Sequence, residues 1–97
     1  MTLEFIYQDG NIRMIASWVD YSGISTSPTS QRLSIFDPRG SYAISGYTSP
    51  TQSTSGVFFY DYNSPASGTI GAYTVWWVST TGSFDDVVRG QFEVKGL

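Results

Sequence analysis

Apolar and polar residues alternate in short runs along this chain, and each run stops at a cluster of Gly, Pro, Ser or Asp. Alternation with period two puts successive side chains on opposite faces of an extended strand, whereas a helical face needs a period near 3.6. Seven strands are expected on that basis. "TLEFIY" (2–7) places Leu3, Phe5 and Tyr7 on one side and runs into "DGN" (9–11), a hairpin-type turn signal. "IRMIASWVD" (12–20) places Ile12, Met14, Ala16 and Trp18 on one face, although Ile15 and Val19 blur the pattern with partly helical spacing. "RLSIFD" (32–37) carries Leu33 and Ile35, and "SYAISGY" (41–47) reads as a short edge strand. "VFFYDY" (57–62) sets Phe58, Tyr60 and Tyr62 against Val57, Phe59 and Asp61. "AYTVWWVST" (72–80) and "VVRGQFEV" (87–94) complete the set.

Between the runs, "YSGISTSPTS" (21–30) reads as a long loop and "TSPTQSTSG" (48–56) as a mobile polar linker, too short to separate domains. "NSPASGTIG" and "TGSFDD" are loops of the same kind. "DPRG" (37–40) suits a type I turn: Pro38 presets φ, Gly40 takes the fourth position, and Asp37 can accept bonds from the turn's own amides. Seven short strands without a helical segment predict one all-β domain over residues 1–97, an antiparallel sandwich whose second sheet covers the apolar side of the first. A small closed barrel is the competing architecture. Strand order is left open by the pattern.

The stretch "TIGAYTVWW" (69–77) narrows the fold. It resembles the corner of immunoglobulin-like domains, where a tyrosine hydroxyl bonds back to upstream backbone at the start of the sixth strand. Gly71 then takes the small position, Tyr73 the corner, and Val75 the place an antibody cysteine would hold. With Val75 there and no cysteine in the chain, no inter-sheet disulfide exists and apolar packing takes over its work. If Tyr73 and Val75 point inward, so does Trp77, while Thr74 and Trp76 face out. Trp76 is therefore the candidate interaction surface, because a large exposed aromatic asks for a partner or a covering loop.

Taken in order, "WVDYSG", "LSIFDPRG", "SGVFFYDY", "GAYTVWW" and "GQFEV" resemble small immunoglobulin-like structural proteins of tailed phages and related viruses. They are also similar to Ig-like repeats of bacterial and archaeal surface proteins. The resemblance implies an immunoglobulin-like β-sandwich of about seven strands that performs no reaction. It implies a virion component (capsid decoration, neck, tail or fibre) whose partners are other copies of itself or other particle proteins. The family supplies no catalytic residue to carry over. The alternative is an extracellular adhesion or glycan-binding module at a cell surface, using Trp76 and tyrosines near loop tips to stack on sugar rings.

Composition removes most other functions. The chain has 97 residues, of which 16% are aromatic and 13% charged, which fits a folded domain and not a solvated tail. Net charge is −3 and the five basic residues, Arg13, Arg32, Arg39, Arg89 and Lys95, are scattered singly, so nucleic acid is not an expected partner. There is no His and no Cys, which removes the commonest general base, the thiol nucleophile and the usual transition-metal ligands. No serine has a nucleophile-elbow context, and Asp85 and Asp86 would face opposite sides if extended. No enzyme activity, cofactor or metal is expected. Asp20, Asp37, Asp61 and Asp85 or Asp86 lie near loops where calcium could be held, but none has the spacing of a twelve-residue calcium loop. No apolar run is long enough to cross a membrane and "MTLEFIYQDGN" lacks a leader's features, so a soluble chain without membrane insertion is expected. Strands 41–47 and 2–7 carry few charges, and strand addition between copies could use those edges.

Overall fold

The computed structural model describes residues 4–19, 22–81 and 84–96, apart from the side chains of Glu4 and Phe84. Eight strands form: β1 (Glu4–Tyr7), β2 (Asn11–Ser17), β3 (Ser30–Phe36), β4 (Tyr42–Tyr47), β5 (Thr51–Thr54), β6 (Val57–Asn63), β7 (Gly71–Thr81) and β8 (Phe84–Lys95). They make a five-stranded sheet in the order β1-β8-β7-β3-β4 and a three-stranded sheet in the order β2-β6-β5. The chain is thus all-β, with two sheets facing each other across one core and no disulfide. No ladder closes the sheets into a barrel among the described residues.

Alternation sets the core. Ile12, Ala16 and Trp18 from the β2 segment and Phe58 and Tyr62 from β6 pack against Leu33, Ile35, Tyr73, Val75, Trp77, Phe92 and Val94 of the larger sheet. Ile15 and Val19, the residues that blurred the β2 pattern, point to solvent. Burial pushes the hydroxyl pKa of Tyr60, Tyr62 and Tyr73 upward, since the phenolate would lose its hydration there.

Three expectations need correction. The segment 48–56 is not a plain linker, because Thr51–Thr54 pairs with β6. The four residues of β5 are all exposed, so no apolar alternation marks it. The turn into β6 is tight because Gly56, at φ 74, lies against the Trp18 carbonyl oxygen, where a Cβ would sit 2.7 Å away. Secondly, "DGN" is not a hairpin. It turns the chain from one sheet to the other, and β1 pairs in parallel with β8, Glu4 opposite Phe92 through Tyr7 opposite Lys95. The sandwich is therefore not wholly antiparallel. Phe5 and Tyr7 lie on the outside, while Ile6 packs on the core. Thirdly, Asp85 and Asp86 belong to an extended strand and not a loop, paired opposite Thr80 and Ser79. The edge position of "SYAISGY" agrees with β4 as the last strand of its sheet.

At the entry to β7 the Tyr73 hydroxyl donates to the Thr69 carbonyl oxygen at 2.7 Å, four residues upstream. Gly71 beside it has φ 135, and a Cβ there would come within 2.8 Å of the Pro38 ring. The neighbouring turn is tied by Asp37, whose Oδ1 accepts from the Arg39 and Ser41 amides, each at 2.9 Å. Although burial opposes ionisation of Asp37, these bonds and the Arg39 guanidinium at 3.0 Å hold its carboxyl below the ordinary value. Tyr73→Phe is expected to lower unfolding stability by about 0.5–1.5 kcal/mol, read from urea denaturation, because the Thr69 carbonyl loses its donor while the ring packing survives.

Candidate interaction surface

The strand β7 runs through the middle of the larger sheet, and its alternation separates the adjacent tryptophans. Trp77 is 2% exposed and Trp76 is 41% exposed. Inside, one acceptor serves two indoles. The Trp18 and Trp77 Nε1–H groups donate to the same Gln31 Oε1, at 3.0 and 2.9 Å. Gln31 is buried near the start of β3, so this oxygen joins Trp18, from the smaller sheet's side, to Trp77 of the larger sheet.

Outside, Trp76 has aromatic and cationic neighbours delivered by three strands. Ser34 of β3 lies opposite Trp76 in the ladder, which brings Phe36 within 6.1 Å of the indole, edge to face. Phe36 in turn packs against Tyr42 of β4, with ring centroids 4.7 Å apart. On the other flank Arg89 of β8 pairs directly with Trp76, and its guanidinium carbon lies 4.4 Å from the ring centroid. That is cation–π distance. Between β3, β4 and β7 the surface dips into an open depression of about 380 Å³ lined by Arg32, Ser34, Phe36, Tyr42, Trp76 and Val78. Beside the dip β4 is irregular, with register shifts against β3, and Gly46, at φ 61, donates its amide to Ser34 Oγ at 3.2 Å.

The remaining outer surfaces carry charge pairs. Arg13 on β2 forms a two-pronged bond to Asp61 on β6, at 2.7 and 3.0 Å, while also lying 4.0 Å from the Phe59 centroid. That hydrogen-bonded guanidinium holds the Asp61 carboxyl below its usual range. Lys95 sits 4.1 Å over the Phe5 ring.

Of the carboxylates weighed for calcium, Asp37 serves its turn, Asp61 pairs with Arg13, and Asp85 accepts from the Thr80 hydroxyl at 2.6 Å. Asp86 accepts its neighbour Val87's amide at 3.2 Å. Asp20 lies outside the described residues. Among the described residues no three carboxylates gather at one point.

Periodicity placed Trp76 on the outside but missed Phe36, Tyr42 and Arg89 as its companions. Arg32, Ser34 and Phe36 are the outward set of their strand, and that much was readable. Which strands flank β7 was not. Protein-family models, curated proteins and solved structures were all compared with the chain, and none matches it.

Proposed function

We propose that this chain is a disulfide-free immunoglobulin-like sandwich acting as a non-catalytic assembly module, held by repeated protein–protein contacts as a component of a virion or similar particle. The strand order supports the immunoglobulin-like reading: β2-β6-β5 corresponds to strands B, E and D, and β3-β7-β8 to C, F and G. The Tyr73 bond to Thr69 and buried Val75 two residues on support it independently.

The observation that carries the functional reading is Trp76, held half out of a central strand beside Phe36 and Tyr42 and capped by Arg89. Trp, Tyr and Arg are the residues most enriched among energetic hot spots of protein interfaces. A strand-borne site is also pre-ordered, so little conformational entropy is lost on contact. Arg32 lines the depression and Arg89 flanks it, so the fitting partner is a protein surface with apolar side chains and nearby carboxylates. Arg89 over the indole takes up a ring face that a sugar would need, which favours protein over glycan.

The test is co-sedimentation of the purified chain with particles from its own source. Trp76→Ala is expected to weaken association by at least about tenfold while changing unfolding stability by no more than about 1 kcal/mol. Undiminished co-sedimentation of that variant overturns the reading. So does a glycan-array signal that Trp76→Ala abolishes in a chain that ignores particles.

A further inference from the structure

Among the described residues, the strand β8 is paired on both sides along only part of its length. The strand β7 covers it from Phe84 to Val94, but β1 covers its other side only from Phe92 to Lys95. From Asp85 to Gln91, β8 therefore has an open backbone edge among the described residues. Unpaired edges of this length are templates for strand addition. Val87 and Val88 on that stretch are 43% and 42% exposed. Alongside lies a cleft of about 250 Å³ between β2 and β8, lined among others by Met14, Ile15, Val88 and Gln91. Ile15 at its mouth is exposed.

The charges along this edge select the occupant. The stretch reads Asp85-Asp86-Val87-Val88-Arg89-Gly90-Gln91, acidic at one end, apolar in the middle and basic at the other. Such a segment is complementary to itself when run antiparallel. In a two-fold symmetric pairing each residue i meets j while j meets i, and directly opposed residues share a face. Those two conditions require the axis to pass through a residue and not between residues. An axis through Asp85, Asp86 or Arg89 sets like charges directly opposite, which is unfavourable. An axis through Val88 matches no opposite charges. An axis through Val87 sets Val87 against its symmetry mate and Asp85 against Arg89 twice, all on the outer face. Parallel pairing in register would instead stack acid on acid and base on base.

We infer that two copies of this chain pair antiparallel through the open Asp85–Gln91 edge of β8, centred on Val87, to make one continuous sheet across a symmetric dimer. The occupant is a second copy because the edge's own charge order is its complement. Arg89 links this edge to the outer face, since it packs on Trp76 as well as meeting Asp85 of the other copy. The dimer does not depend on the Trp76 surface having a partner, so it should form in the isolated chain.

The experiment is sedimentation equilibrium of the full chain and its charge variants, with far-UV circular dichroism to confirm that each is folded. The unmodified chain is expected to form dimers at concentrations up to about 0.1 mM, and Asp85→Arg or Arg89→Asp alone to weaken association by at least about tenfold. When the two single variants are mixed, they should form a heterodimer, because positions 85 and 89 on the outer face of each edge then carry one sign and meet the opposite sign on the partner. A chain bearing both reversals should dimerise again. A strictly monomeric unmodified chain overturns the inference, as does a dimer indifferent to either reversal or a mixture that fails to associate.

Discussion

Trp77→Ala is expected to cost about 3–5 kcal/mol, a large share of the roughly 5–10 kcal/mol that holds a domain of this size together. The ring is 2% exposed, lies on the ladder opposite Leu33, and is surrounded by core residues from both sheets. Replacing it leaves a cavity that the central strand of a five-stranded sheet cannot collapse to fill, because β3 and β8 fix β7 on both sides. Urea denaturation followed by circular dichroism should show the midpoint falling by at least about 30% with the slope unchanged. A loss under about 1 kcal/mol would mean that the ring is not in the core.

The second large effect comes from a smaller change. Gln31→Met keeps the length of the side chain but removes the oxygen that accepts from both Trp18 and Trp77. Two indole N–H groups are then buried without an acceptor, and at about 1–3 kcal/mol for each such donor the loss is about 2–6 kcal/mol. The same substitution in a Trp18→Phe background should cost about half as much, since only one donor remains to be stranded. The measurement is the difference between the two urea curves. Equal losses in both backgrounds would show that the Trp18 bond carries no weight.

These two residues mark where the sequence was legible and where it was not. Trp77 could be placed because alternation within one strand is a local property, fixed by the pleat and independent of neighbouring strands. The same logic separated Trp76 from Trp77, and the corner pattern pointed to Tyr73. Gln31 could not be found this way. A polar residue one position before the apparent start of a strand gives no sign that two distant tryptophans will converge on it. The strand β5 was missed for a related reason: all four of its residues face solvent, so pairing with β6 leaves no hydrophobic trace, and only threonine's preference for strands hinted at it. The parallel course of β1 is a matter of which sheet the chain enters after Gln8. Backbone and side-chain bonds from Gln8 to Lys95 and Gly68 help set that course, and they too are partners far away in sequence. The cluster around Trp76 is half-readable: its outward residues follow from alternation, and their meeting depends on a register that periodicity does not contain.

The division of the tryptophans has an optical consequence. Trp18 and Trp77 share one dry environment around a single amide oxygen, while Trp76 stands at the surface under a guanidinium. Emission from the buried pair reports whether the two sheets are still joined. Emission from the surface indole reports whether something has come to rest on the sheet. With Trp76→Phe available to subtract one signal from the other, intrinsic fluorescence can follow unfolding and docking separately in the same cuvette, with no label attached.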